Sequence, residues 1–205
     1  MPKAYQVQDK YFRMAKEAGF RARSAFKLLE IQDKFHLIKH GQMVLDLGAA
    51  PGSFLQVISK IVGPDGLALG VDLKEIDPYQ EKNIVTLVED IFNTDEILQF
   101  MKSRDFHKAD VVTSDLAPNT SGIKDLDQGR SAELTESAYL IASKVLRRGG
   151  SFIAKVFQGE DLYGVMKQIK ASFGKVSLYK PDACRDRSFE TYIVATNFKP
   201  DKIGS

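Results

Sequence analysis

From Gly41 onward, short apolar runs alternate with longer stretches of helical periodicity, the pattern of a parallel sheet flanked by helices. The runs predict strands at 43–47, 68–72, 84–88, 109–114, 151–156, 175–179 and 190–196. Between Leu126 and Leu146 the residues Leu134, Ala138, Ile141, Ala142 and Val145 share one face, which predicts the best helix of the chain. Gly63-Pro64-Asp65-Gly66 and Arg148-Gly149-Gly150 read as turns that end helices before the next strand. Only Lys180–Phe189 separates the last two strands, with no helical stretch, so an antiparallel hairpin is expected there. The fold class is therefore α/β and Rossmann-like: a seven-stranded, mostly parallel sheet with helices on both faces and an antiparallel last strand. Ahead of this core, a polar helix is expected at 9–18, stopped by Gly19, and a second from Ala25 to Phe35 with Ser24 as its N-cap. Ala25, Leu28, Leu29 and Phe35 form the core-facing stripe of that second helix. Lys27 falls off the stripe and can point toward solvent or a cleft; by position alone a solvated helical lysine is the commoner reading. The tail 200–205 reads as loose.

The 205 residues, 43% of them apolar, suit one sizeable core and a single domain spanning 1–205, with a basic helical segment at 1–40 and the Rossmann-like core at 41–199. The net charge of +2 conceals an asymmetry: residues 1–40 hold nine Lys/Arg against four Asp/Glu, so the first segment carries +5 and the remainder −3. An anion-facing arm on a neutral body gives that division, and so does a solvated basic helix. The lone Cys184 excludes an intramolecular disulfide framework, and with three scattered histidines there is no zinc spacing, so no metal is expected. No apolar run is long enough to span a bilayer, and the N-terminus lacks an apolar stretch behind its basic residues. A soluble protein of a reducing compartment, the cytoplasm, is expected.

Candidate chemistry gathers where the first predicted strand runs into Gly48-Ala49-Ala50-Pro51-Gly52. The first strand-to-helix turn of an open α/β sheet lies where ligands bind, and Gly48 and Gly52 leave room for a nucleotide to approach the backbone. The turn matches neither G-x-x-x-x-G-K-[ST] nor G-x-G-x-x-G, which argues against a phosphate-cradling loop and against a nicotinamide oxidoreductase. Asp72, ending the second strand, can accept two hydrogen bonds from a ribose diol. Acid and glycine turn together suggest S-adenosylmethionine. Four acids, Asp46, Asp72, Asp90 and Asp115, lie at or just beyond strand carboxyl ends, which converge on one edge of a parallel sheet. Asp90 suits an adenine amino group, with Ile91 as an apolar ring contact; its plain alternative is a helix cap. Lys155 stands within the apolar Ser151–Phe157 strand, where lysine is rarely buried without a partner, and should lie near Asp115. Glu190, alone, reads as a solvent-side glutamate on an edge strand.

Taken in order, Arg21-Ala22-Arg23-Ser24-Ala25-Phe26-Lys27-Leu28-Leu29-Glu30, Asp46–Gly52, Ser114–Gly122, Gly149–Gly159 and Lys180–Thr196 resemble the FtsJ family of S-adenosylmethionine-dependent ribose 2′-O-methyltransferases over nearly the whole chain. The resemblance implies the class I S-adenosylmethionine-dependent methyltransferase fold. It also implies a catalytic Lys-Asp-Lys-Glu set at Lys27, Asp115, Lys155 and Glu190, and cofactor contacts at Gly52, Asp72, Asp90 and Asp115. Phe54 stands where many members carry tryptophan beside the cofactor, and Glu89 where glycine is usual. The implied reaction is in-line methyl transfer to a ribose 2′-hydroxyl, of a uridine, with Lys155 as base, Asp115 orienting it, and Lys27 and Glu190 fixing the hydroxyl.

The Lys180–Thr196 stretch looks most like the ribosomal-RNA branch, so the implied partner is large-subunit ribosomal RNA. Arg21 and Arg23 would contact phosphates on the approach to Lys27. With no separate RNA-binding domain, an assembled subunit is the expected substrate, and a monomer with neither DNA nor membrane partners is the expected form. The competing readings are a transfer-RNA ribose methyltransferase of the same family and a non-catalytic RNA-binding module on the same fold.

Overall fold

The computed structural model describes residues 4–184 and 188–200, with side chains from residue 10 onward. The expected loose tail lies, but for Pro200, outside the described residues. Two helices, α1 (Ala4–Glu17) and α2 (Ala25–Phe35), lead into β1 (Met43–Leu47), α3 (Ser53–Val62), β2 (Leu67–Asp72), β3 (Ile84–Val88), α4 (Thr94–Ser103), β4 (Ala109–Ser114) and α5 (Lys124–Val145). The chain then runs through β5 (Leu146–Phe157), α6 (Leu162–Ser172), β6 (Phe173–Tyr179) and β7 (Glu190–Phe198). The seven strands form one sheet in the order β3-β2-β1-β4-β5-β7-β6. Pairings from β3 to β5 are parallel, while β7 runs antiparallel to both β5 and β6. The expected hairpin forms, and its second arm inserts between the first and β5.

Apolar strand residues alternate between two cores, as the period-2 pleat requires. Leu45, Leu47, Ala154 and Val156 face one side with Ala138, Ile141, Ala142 and Val145 of α5. Val44, Val111, Ile153, Tyr192 and Val194 face the other with α3 and with Ala25, Leu28 and Ile31 of α2. The second helix is thus part of a core rather than a detached basic arm. Among the described residues no helix is long and apolar enough to cross a membrane.

Two local expectations are corrected. Ser24 has helical backbone angles and makes no side-chain cap; its hydroxyl instead shares a 2.7 Å hydrogen bond with Ser53 Oγ, tying α2 to the start of α3. Arg148-Gly149-Gly150 is not a turn between elements but the irregular beginning of β5, with Gly149 at a φ of 79° and a register shift against β4 between Ala109 and Val111. Such a bulge bends the strand without ending it.

At Gly70, opposite Asp46 in the β1–β2 register, an added Cβ would come within 2.6 Å of Leu55 Cδ1 and 2.9 Å of Ala49 Cβ. That contact brings α3 against the sheet beneath the glycine turn. Gly70→Ala should therefore cost about 1–3 kcal/mol by overpacking, read as a lower urea midpoint; an unchanged midpoint would contradict the tight approach.

Candidate active site

The chain direction along the sheet reverses between β1 and β4, which places the ligand crevice of an open α/β sheet above their carboxyl ends. Asp46 lies on β1 and is buried; Thr113 of β4 donates to its Oδ1 at 2.6 Å. Its Oδ2 is the one buried side-chain polar atom without a hydrogen-bond partner among the described residues. Burial drives the Asp46 carboxyl well above the usual carboxylate range, and the charges of Asp115 and Asp72 reinforce this against the pull of the Thr113 bond. An orphaned buried carboxylate oxygen is what a cationic ligand group, such as an α-ammonium, would satisfy. Asp72, at the end of β2, accepts 2.9 Å bonds from the amides of Ala50 and Lys74, one on each oxygen, which orient it and leave lone pairs for hydroxyl donors. Asp90 accepts from Phe92 N at 3.0 Å, while Glu89 Oε1 accepts from Asp90 N and Asn93 Nδ2. Glu89 thereby fixes the turn that presents Asp90. The acids at three neighbouring strand ends fit the ammonium, ribose and adenine of S-adenosylmethionine in that order.

Four expected cofactor contacts have close neighbours within the protein. Gly48 and Gly52 have positive φ, 75° and 104°, and on the side where a Cβ would stand Leu116 lies over Gly48 and Tyr79 over Gly52. Phe54 is packed into the core with α2, so its ring does not face the crevice. Ile91 is likewise packed into the core, on the α5 side. The apolar groups left open beside Asp72 and Asp90 are Leu73 and Phe92, at 67% and 57% exposure. Neither belongs to an apolar run, and only their position beside the two acids could have signalled them.

The four residues Lys27, Asp115, Lys155 and Glu190 come together from α2, the end of β4, β5 and β7. Lys155 Nζ donates to Asp115 O at 2.6 Å and lies 3.1 Å from Asp115 Oδ1. Lys27 is buried, not solvated, and is ion-paired with Glu190. Burial alone would lower the Lys27 pKa, but Asp115 and Glu190 outweigh it and raise it, so this ammonium stays charged. Burial would raise the Asp115 carboxyl; Lys155 and Lys27 overcome that and hold it below its usual range.

Sequence reasoning missed Tyr192. Opposite Lys155 in the β5–β7 register and fully buried, it donates its hydroxyl to Asp115 Oδ1 at 2.6 Å, beneath Lys27 at 6.0 Å from the ring centroid. A tyrosine two residues after Glu190 shares its face of the strand, and that spacing was the available signal. Cys184 Sγ donates to Glu190 Oε1 at 3.3 Å, and burial with the Glu190 charge pushes this thiol up to about 12. Glu30, one helical turn from Lys27, accepts from the amides of Asp182 and Ala183 at 2.6 and 3.0 Å, fastening α2 to the segment that leads to Glu190.

Both arginines expected at the RNA are engaged within the protein. Arg21 donates to the carbonyls of Pro51, Asp77 and Pro78 and stacks 3.7 Å over the Tyr79 ring, whose hydroxyl donates to Gly52 O. It straps the segment after β2 onto the glycine turn. Arg23 donates to Ala183 O at 2.6 Å. Their observed work is positioning.

A methyl-donor crevice lined by acids, joined at its β4 end to a lysine-carboxylate cluster, on a seven-stranded sheet with one inserted antiparallel strand, defines an S-adenosylmethionine-dependent methyltransferase. The chain belongs to the FtsJ-like methyltransferase family, which matches residues 20–198. It is 47% identical over 191 residues to the ribosomal RNA large subunit methyltransferase E of Methanothrix thermoacetophila, covering 93% of this chain and 73% of that one. Its identity to the protein of that name from Syntrophobacter fumaroxidans is 44%, over 96% of this chain and 98% of that one. A solved Plasmodium falciparum protein described as a ribosomal RNA methyltransferase superposes with a TM-score of 0.77 at 28% identity, over 87% of this chain and 98% of that one. Aeropyrum pernix fibrillarin, solved with natively bound S-adenosyl-L-methionine, shares the fold, with a TM-score of 0.59 at 20% identity over 84% and 76% of the two chains.

Because the Asp46 carboxyl holds its proton more tightly in the folded protein than in the unfolded chain, ligand-free protein loses stability as pH rises from the ordinary 3.8 through the raised value. Asp46→Asn should flatten that slope, raise ligand-free stability at pH 7 by about 1–2 kcal/mol, and weaken S-adenosylmethionine binding at least about tenfold, the loss of one charge-assisted bond. Denaturation across pH and calorimetric titration check the two halves; unaltered affinity would remove Asp46 from the cofactor site.

Proposed function

We propose that this methyltransferase modifies a ribose 2′-hydroxyl of large-subunit ribosomal RNA, with uridine as the target nucleoside and the assembled subunit as substrate. The observation that carries the chemistry is the Lys155–Asp115 pair set beside the Lys27–Glu190 pair at the end of the acidic crevice. The ribosomal substrate is supported by the names of relatives that align over nearly the whole chain. Arg21 and Arg23 being engaged elsewhere, the exposed Lys10 and Lys16 of α1 are the better candidates for phosphate contacts. All the reacting groups come from one chain, in keeping with a monomeric, single-domain enzyme working beside cytoplasmic ribosomes.

S-adenosylmethionine supplies an electrophilic methyl group on sulfonium. Asp46, Asp72 and Asp90 would hold it, and Asp115, kept ionised by two lysines, places negative charge at the junction of donor and acceptor. A 2′-hydroxyl is a weak nucleophile until it loses its proton. Lys27 is held as an ammonium and cannot accept that proton, so it orients the hydroxyl oxygen with Glu190. Lys155, aligned by two acceptors of Asp115, is the other amine; having first released its own proton to solvent, it would take the hydroxyl proton as the methyl group passes from sulfur to oxygen.

Large subunits from cells lacking the protein are the substrate for the test, with single-turnover methylation and mapping of the modified ribose as readouts. Lys155→Ala should slow transfer roughly 10²–10⁴-fold at every pH while leaving S-adenosylmethionine affinity intact. A near-wild-type rate would refute the base assignment, and equal activity on naked transcript would refute the assembled-subunit substrate.

A further inference from the structure

The sheet order separates the two halves of the reaction. Cofactor acids occupy the β3-β2-β1 side, the lysine-carboxylate cluster sits over β4, β5 and β7, and the rest of the acceptor must therefore lie toward β7. Glu190 pairs with Phe157, two residues beyond Lys155 in the outward direction of β5, a step of roughly 7 Å. One residue further out stands Phe189, on the opposite pleat from Glu190 and against Lys124 of α5, so that a group reaching its ring from the cluster passes over the end of the strand. Its carbonyl is fixed by Gln158 N at 2.8 Å, yet half of its surface is open to solvent. Lys124 Nζ, at the start of α5, lies 4.8 Å from its ring centroid, and the adjacent Ile123 is 63% exposed. An open aromatic ring with an anchored backbone, a cation at its face and an apolar neighbour are the components of a base-stacking site. Among the described residues Phe189 belongs to neither core.

We infer that Phe189, with Lys124 beside it, is the platform on which the base of the target nucleotide stacks. The inference rests on the proposed ribose methylation, because that reading fixes where the base must be. The base hangs from the sugar carbon adjacent to the one bearing the reacting hydroxyl. With that hydroxyl at Lys155 Nζ, the base would pass Glu190 and turn over the end of β7 onto Phe189. Lys124 supplies a charge for the flanking phosphate as well as for the ring. Stacking tolerates any base, so the platform would hold a splayed nucleotide and orient its ribose, leaving sequence choice to the surrounding RNA.

The test compares kcat/KM on large subunits from cells lacking the protein for wild type, Phe189→Ala, Phe189→Leu, Phe189→Tyr and Lys124→Ala, with S-adenosylmethionine affinity and thermal unfolding measured alongside. Phe189→Ala should lower kcat/KM roughly 5- to 100-fold, Phe189→Leu should fail to restore it, and Phe189→Tyr should restore it, all with unchanged cofactor binding and unfolding temperature. Lys124→Ala should give a smaller loss that vanishes at high salt. An active wild type with an indifferent Phe189→Ala variant, or rescue by leucine as good as by tyrosine, overturns the platform alone. A wild type that methylates no RNA removes the parent reading and this one with it.

Discussion

A carboxylate drawn largely out of water must be met by positive charge and hydrogen-bond donors, and in this protein that requirement falls on Asp115. Lys155 reaches it from β5, Tyr192 from β7, and Lys27, paired with Glu190, from α2. Three elements remote in sequence are thereby held over the end of β4. The insertion of β7 between β5 and β6 makes this possible, since it sets Tyr192 directly across from Lys155. Glu30 and Arg23 extend the same fastening, joining α2 to the backbone at 182–183 just ahead of Glu190.

The cofactor half obeys a different constraint. Close packing of α3 on the sheet needs Gly70, and the turn above it needs the positive φ of Gly48 and Gly52, whose open sides admit Leu116 and Tyr79. The glycines thus serve the closeness of neighbouring segments. The electrostatics is carried by acids at successive strand ends, one of which, Asp46, retains an unsatisfied oxygen in the protein without ligand. An unsatisfied buried acceptor lowers stability, and a cationic group seated against it would relieve that cost.

Much of this was legible in the chain. The alternation of apolar runs and helical stretches located every strand, because a parallel sheet buried on both faces leaves nearly continuous apolar segments. Lys155 was conspicuous as a charge within one of them. Lys27 and Glu190 were not, since a lysine off a helix stripe and a glutamate at a strand start are ordinary surface residues until a partner brings them together; the family resemblance supplied them. Phe54, Ile91, Arg21 and Arg23 are expected at ligands from their neighbours in the chain, while tertiary packing buries the first two and engages the arginines with backbone carbonyls. The Gly149-Gly150 bulge was hidden because glycine pairs signal a turn and an irregular strand alike.

A crystal structure with S-adenosylmethionine bound should show the adenosine along the β1–β2–β3 edge between Asp72 and Asp90, the α-ammonium on Asp46 Oδ2, and the methyl carbon turned toward Lys155 Nζ with room for one oxygen between them. A donor whose methyl points away from Lys155, or one seated elsewhere on the sheet with Asp46 Oδ2 still unpartnered, would contradict this geometry.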